Sequence, residues 1–364
     1  MRISFDQQIF ILQEYGGISR YVCNLASQLA CIEGVEAKIF APLYVNAYLE
    51  KLPKELVSGT KVPKIPKTGK ILQKSSQWLA RGEIKNFSPQ IVHETYYSAN
   101  TVAPKGVSTV VTVYDMIHEK FPNIFPLHDR ISKLKRAATK RVDKVICISE
   151  NTRKDLLEFF DLPEEKVSVV HLGFDKLIPE LIKEGNNQKP YILHVGQRGG
   201  YKNFAGFLRA YASSAWLRNN FDVVCFGGGA FSDSEKSLFA ELKISDRELM
   251  QLNGSDSLLG AFYRDAALFV YPSLYEGFGI PPLEAMSLDC PVACSNCSSI
   301  PEVVGTAAEY FNPYDIDSMR DAMLHVLDST ARRAALIESG RLRSAQFSWE
   351  RCAKETLAVY RSML

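Results

Sequence analysis

Apolar residues in this chain fall into short blocks parted by polar, glycine-containing loops, and the blocks alternate between two periods. Thr109-Val110-Val111-Thr112-Val113, Lys144-Val145-Ile146-Cys147-Ile148 and Ala266-Ala267-Leu268-Phe269-Val270-Tyr271 are near-continuous apolar runs, the pattern of strands buried on both faces of a parallel sheet. Similar runs start at Arg2, Ala37, Pro89 and Val167 in the first half, and at Tyr191, Asp222 and Pro291 in the second. Between them apolar positions recur at helical spacing: Ile18, Val22, Leu25, Ala26 and Leu29 share one face. Strand and helix patterns in alternation predict an α/β class with largely parallel sheets.

The polar run Lys183 to Pro190 interrupts this alternation and reads as an interdomain linker. A chain of 364 residues can bury two cores, so two doubly wound, Rossmann-like units with a cleft between them are the simplest architecture. The runs starting at Pro89 and Thr109 each end in a polar cluster, which a parallel sheet places at its C-terminal edge, where ligands bind. His93 there reads as a strand-end histidine with structural partners, whereas Asp115 and His118, just beyond Val113, are stronger candidates for chemistry.

Net charge is only +2, but residues 1–185 carry 26 Lys and Arg against 21 Asp and Glu, and residues 186–364 carry 17 against 20. The excess lies in two runs, Lys51 to Lys85 with nine basic residues and Arg130 to Lys144 with seven. Either can be a solvated face; together they fit a membrane surface or an anionic acceptor. Basic residues are not interleaved with aromatics on a nucleic-acid motif, so that class is set aside. The eight cysteines have no framework spacing, and Cys294-x-x-Cys297 lacks a second pair or a histidine partner. With no signal-peptide pattern and no stretch near 18 apolar residues, the expectation is a cytoplasmic protein, peripheral at most to the inner face of the membrane.

The densest chemistry lies between Ser273 and Ala285, where Glu276 and Glu284 stand eight positions apart around Gly277-Phe278-Gly279-Ile280-Pro281-Pro282. A buried strand, a glycine turn and a helix start make an anion site, since unpaired N–H groups and the helix dipole both favour negative charge. Leu283 to Leu288 reads as the helix, with Glu284 in its first turn. Two carboxylates beside a phosphate site repel it unless each is aimed at hydroxyls, such as those of a sugar and a ribose. At the other end of the chain, Gly16-Gly17 opens a helix without the dinucleotide fingerprint, and a plain turn or a phosphate loop fits it equally.

These stretches, with Gly196 to Asn203 and Ser299-Ile300-Pro301-Glu302-Val303-Val304-Gly305, resemble retaining glycosyltransferases of family 4, which have the two-Rossmann-domain GT-B fold. Within that family the resemblance is closest to bacterial mannosyltransferases of O-antigen and surface-polysaccharide assembly. It implies an acceptor-side domain over residues 1–184, a nucleotide-sugar domain over 185–346 and a last helix, 347–364, that crosses back to the first domain. It also implies that Glu276 contacts the donor sugar, Glu284 the ribose, and the N–H groups of Gly277, Phe278, Gly279 and Ile280 the diphosphate. Arg198 and Lys202 would stabilise the departing diphosphate; Arg198 stands two residues beyond Gly196, where many relatives have it immediately after. Gly16 and Gly17 match the family's amino-terminal glycine loop. Tyr114 stands where many members have histidine, so Asp115 and His118 jointly take the contact to the transferring sugar.

The implied reaction moves a hexose, mannose from GDP-mannose, to a saccharide on a lipid carrier, with retention and without a carboxylate nucleophile. No D-x-D pair is placed to hold a metal, so no metal and no cofactor beyond the nucleotide sugar is expected. A nucleotide-sugar epimerase of the same fold and a non-catalytic nucleotide-sugar-binding protein are the competing readings.

Overall fold

Among the described residues thirteen strands form two parallel sheets, the class that the alternation of apolar blocks predicts. The computed structural model describes residues 1–65, 69–125, 130–181 and 189–364. The chain divides into two compact units, Met1–Gly173 with Ser348–Leu364, and Phe174–Phe347. The boundary thus lies eleven residues before the expected 184/185, and most of the polar run 183–190 falls outside the described residues. Local packing explains the shift. Leu177 and Pro179 close on Gly260, where a Cβ would meet the Leu177 Cβ at 3.2 Å, and the Glu180 N–H donates to the Ser257 carbonyl at 3.2 Å.

In the first unit the strands are β1 (Arg2–Phe5), β2 (Glu36–Tyr44), β3 (Val57–Lys61), β4 (Ile91–Glu94), β5 (Ser108–Val113), β6 (Lys144–Cys147) and β7 (Val167–Val169), in the order β3-β2-β1-β4-β5-β6-β7. β3, Val-Ser-Gly-Thr-Lys, is an edge strand too polar to stand out by pattern. Its register with β2 slips between Phe40 and Leu43, where Pro42 has no N–H to give to a ladder. The long helix Gly69–Phe87 stands between β3 and β4 in the chain. The final helix, Trp349–Arg361, packs on the helix Gly17–Ala30 of this unit. Gly173 lies against its start, with room for no Cβ: one would fall 2.2 Å from the Trp349 nitrogen.

A buried polar chain ties that helix to the sheet. His93 Nδ1 lies 2.5 Å from the Tyr360 hydroxyl and Nε2 2.9 Å from Thr112 Oγ1, which is itself 3.1 Å from the Tyr21 hydroxyl. His93 therefore has the structural partners expected of it. Burial drives its pKa down to about 3, so the ring is neutral.

In the second unit β8 (Tyr191–Val195), β9 (Asp222–Phe226), β10 (Leu249–Leu252), β11 (Leu268–Tyr271), β12 (Val292–Ser295) and β13 (Glu309–Phe311) run in the order β10-β9-β8-β11-β12-β13. The order reverses at β8, so the loops leaving β8 and β11 are neighbours at the C-terminal edge, the place where open parallel sheets receive ligands. The core below is dominated by Phe204, Phe207, Tyr211, Phe311 and Met323, all at most 1% exposed. Full burial of a side chain of this size contributes about 2–3 kcal/mol each.

His93 and, in the second unit, His194 are both held near pKa 3 by burial, below the ordinary value near 6.5. Their contribution to stability is complete above pH 6.5 and is lost as pH falls from there towards 3, because only the unfolded chain takes up the proton. The stability of each unit should fall by about 1.4 kcal/mol per pH unit below 6.5 for its histidine. Urea unfolding at pH 7.5, 6 and 5 tests this; the first unit of His93→Asn should be weaker at pH 7.5 and show a shallower decline. An identical slope in wild type and variant would rule the account out.

Candidate functional site

β11 delivers the chain at Tyr271 into a buried turn, Pro272 to Gly279, which opens the helix Ile280–Ser287. Gly279, the residue before this helix, takes φ +112°, a left-handed value that favours glycine. The helix begins at Ile280 rather than Leu283, because Pro281 and Pro282 occupy first-turn positions where no N–H is needed. Glu284 is therefore in the second turn, and the expectation that it answers the helix dipole from the first turn is corrected. The same prolines remove two of the first-turn donors, so only N–H groups on their N-terminal side can face an anion.

The turn is pinned by the residues that follow β12. Ser298 Oγ accepts from the Glu276 N–H at 3.0 Å, and Ser299 Oγ lies 2.9 Å from the carbonyl oxygens of both Glu276 and Phe278. Cys297 Sγ reaches the Leu274 carbonyl at 3.2 Å, so this thiol belongs to the turn's backbone bonding. From the other side, the Leu274 N–H donates to the Tyr201 carbonyl at 2.7 Å, fastening the turn to the loop that follows β8.

That loop starts at Gly196 with φ +106° and ends in a single 3₁₀ turn, Gly200–Lys202, before the helix Phe204–Ala212. It brings Lys202 to Glu276: Nζ donates to Oε1 at 2.7 Å, with the side chains 23% and 11% exposed. The buried Tyr271 phenol also hydrogen-bonds Glu276; burial first, then this carboxylate, hold its pKa well above the ordinary tyrosine value. Glu284 is treated alike, receiving the buried Tyr263 hydroxyl at 3.2 Å. Beneath the loop, burial and then the charges of Arg198 and Lys202 keep His194 neutral.

Arg198 is placed otherwise than expected. Its side chain is 4% exposed and bonded to Glu235 Oε1 at 2.5 Å and to the carbonyls of Gly227, Gly229 and Ala230 at 2.9, 2.9 and 3.1 Å. The guanidinium is spent on the protein, leaving Lys202 as the cation that meets the carboxylate turn. Reasoning from sequence missed Tyr263, Tyr271, Ser298 and Glu235; a tyrosine closing an otherwise apolar strand was the one signal available, at Tyr271.

In the first unit, Asp115 and His118 share the turn after β5. Asp115 Oδ1 accepts from the Ile117 N–H at 3.1 Å, and its carbonyl accepts from the buried Lys135 Nζ at 2.8 Å, which also pairs with Glu119 at 2.8 Å. The His118 ring lies against Phe125, centroids 4.1 Å apart. Gly16 is extended and half-buried, and a Cβ there would collide with the Gln13 side chain; Gly17 is exposed as the first residue of its helix. A pocket of about 920 Å³ in the second unit, lined by Lys189, Arg218, Arg247 and Glu248, lies at the opposite, N-terminal edge of the sheet.

Comparison with known proteins bears on these features. The family described as "Glycosyl transferases group 1" matches residues 179–343, and that described as "Glycosyltransferase Family 4" matches residues 15–176. The chain is 26% identical to O-antigen chain mannosyltransferase B of Escherichia coli, over 95% of this chain and 96% of that protein. It is 28% identical to an O-antigen chain mannosyltransferase of Salmonella typhimurium, covering 85% and 87%. A sucrose-phosphate synthase from Thermosynechococcus elongatus has the same fold, with TM-score 0.77, 18% identity and coverage of 100% and 99%.

Ser299→Ala removes an oxygen that ties two buried carbonyls of the turn. It should lower stability by roughly 1–3 kcal/mol, the cost of leaving such groups without a partner. Chemical denaturation of the second unit's transition reads this directly; an unchanged midpoint would show that the turn stands without Ser299.

Proposed function

Since the chain belongs to the glycosyltransferases that carry these two domains, and has the GT-B fold, we propose that it transfers mannose from GDP-mannose, with retention, to a lipid-linked saccharide in cell-surface polysaccharide assembly. The observation that carries the reading is the Lys202–Glu276 pair at the switch point of the second sheet. The two bacterial relatives, both O-antigen chain mannosyltransferases by name, support mannose.

In this mechanism Lys202 Nζ exchanges its carboxylate partner for the diphosphate, and Glu276 turns its oxygens to hydroxyls of the sugar. Glu284, steadied by Tyr263, takes the ribose. N–H groups of Gly277, Phe278, Gly279 and Ile280 supply dipoles to the phosphates. As the bond from the anomeric carbon to the phosphate oxygen breaks, negative charge grows on the diphosphate, and the Lys202 ammonium answers it. The acceptor hydroxyl attacks the same face and gives its proton to the departing phosphate oxygen, so no carboxylate is needed on the opposite face as in glycosidases. Asp115 and His118 are assigned the contact to the transferring sugar, the Gly16–Gly17 loop approaches the phosphate or the acceptor, and the reaction uses no metal.

The acceptor's lipid calls for a membrane-facing surface, and the two basic runs differ in what they offer. In the helix Arg130–Arg141, Lys135 pairs with Glu119, Arg141 with Glu94 at 2.5 Å, and Arg136 bonds the Phe159 carbonyl. The helix Gly69–Phe87 instead exposes Ile71, Trp78 and Leu79, at 69%, 74% and 38%, among Lys74, Arg81 and Lys85. Aromatic and aliphatic side chains ringed by cations suit an anionic lipid surface. No helix of the described residues is long and apolar enough to cross a membrane.

Purified protein should release GDP from GDP-mannose only when acceptor is present, and at the same rate in chelator. Lys202→Ala should lower kcat by about 10²–10³, the scale of losing one donor to the developing anion. Release without acceptor at an equal rate would reject transfer; a strict need for added Mg²⁺ would reject the metal-free mechanism.

Co-sedimentation with vesicles containing anionic phospholipid should fall several-fold in Lys74→Glu and in Trp78→Ser, about 1 kcal/mol per lost cation, and should weaken with salt. Equal binding to neutral and anionic vesicles would sink the electrostatic part of the proposal.

A further inference from the structure

The three successive glycines after β9 take φ values of +84°, +74° and +74°, a left-handed turn that glycine adopts without strain. This turn is wound directly onto the Arg198 guanidinium. A Cβ on Gly228 would lie 2.6 Å from Arg198 Nη1 and 2.7 Å from the Gly196 carbonyl oxygen, so the turn and the arginine fit only because residue 228 has no side chain. All three nitrogens of the fork are used: Nε on Glu235, Nη1 on Gly227, and Nη2 on Gly229 and Ala230. The rings of Phe231 and Phe204 approach the guanidinium carbon to 4.8 and 5.9 Å.

Glu235 is fixed in turn by its place in a helix cap, accepting from the Ser232 N–H at 2.7 Å. Burial raises its carboxyl pKa, but the Arg198 and Ser232 hydrogen bonds outweigh this and leave it below the ordinary value. Because the peptides are trans, carbonyls that converge on Arg198 oblige the N–H groups of Gly228, Ala230 and Phe231 to emerge on the opposite side. The turn joins the C-terminal end of β9, beside the Gly196 loop that leads to Lys202: the Gly196 N–H donates to the Phe226 carbonyl at 2.8 Å. Pulling Arg198 out to a phosphate would strip charge-assisted bonds from several carbonyls at once.

We propose that Arg198 is a positioning residue for donor binding: clamped by Glu235, it sets the Gly227–Ala230 turn at the ligand edge of the sheet and makes no bond to the diphosphate. This rests on the donor-binding reading above and separates the two cations of the Gly196–Asn203 loop, Lys202 acting on the phosphates and Arg198 on the backbone. Arginine suits the task because only a planar fork reaches one carboxylate and three carbonyls together. Lysine keeps the charge and loses the fork.

Isothermal titration with GDP and with GMP, alongside thermal midpoints, tests the division for wild type, Arg198→Lys, Glu235→Gln, Gly228→Ala and Lys202→Ala. The first three variants attack the clamp from its three sides. Each should weaken GDP and GMP by the same factor, about tenfold for the loss of roughly 1.4 kcal/mol, leaving the GDP-over-GMP ratio at the wild-type value. Arg198→Lys with Glu235→Gln should be no weaker than the worse single change. Lys202→Ala should lower the ratio itself. Arg198→Lys would overturn the inference by lowering the ratio while Glu235→Gln leaves it alone, or by shifting only the thermal midpoint with both affinities intact. A wild type that binds neither nucleotide would remove the donor reading and this role with it.

Discussion

Lys202 and Glu276 hold the ligand edge of the second sheet together. An ammonium and a carboxylate, both mostly out of water and 2.7 Å apart, join two loops that leave different strands. Such a pair gains little over solvated ions, since desolvation offsets the attraction, but removing either partner strands the other's charge. This balance suits the proposed exchange of partners. A diphosphate brings more negative charge to Lys202 than one carboxylate does, and sugar hydroxyls can take over the carboxylate. In the proposed exchange both charges would stay satisfied before and after.

The loops around the pair are tied down by small polar groups. Ser298 and Ser299 bond backbone groups of the turn, and the Leu274 N–H bonds the neighbouring loop. Each such bond contributes only about 1 kcal/mol net, yet a buried carbonyl left without it costs more. Tyr263 and Tyr271 act on the carboxylates in the same spirit: buried phenols reach Glu284 and Glu276 and narrow the directions in which those groups can point.

Fold class was legible because buried parallel strands read as apolar runs, and most runs fell where strands are. β3, β10 and β13 were missed for a physical reason: all three are edge strands, Val-Ser-Gly-Thr-Lys, Leu-Met-Gln-Leu and Glu-Tyr-Phe, too polar or too short to stand out as apolar runs. The unit boundary was misplaced because composition marks where a chain is polar, whereas the unit ends where packing ends, with Leu177 already against Gly260. Around Glu276 the spacing of two acids, a glycine pair and two prolines was enough to locate the turn. The partners that hold it come from Tyr201, Ser298 and Ser299, and spacing carries no information on which backbone atoms such residues reach.

Charge was the least legible property, for a reason that the structure makes concrete. A basic residue in sequence offers a charge to a ligand only if the fold has not already claimed it. Lys135 is 1% exposed and claimed by Glu119 and a carbonyl; Arg141 is claimed by Glu94; Arg198 by Glu235 and three carbonyls. What separates these from Lys202 is the acceptor they meet. Carbonyl oxygens of a turn are fixed in number and place, and a fork that satisfies several of them cannot leave without exposing them all. A single carboxylate on a loop can be re-satisfied by an incoming hydroxyl. A cation suited to follow a reaction is one whose protein partner can itself be handed to the substrate; in the Gly196–Asn203 loop that part is proposed for Lys202, on Glu276, and the positioning part for Arg198.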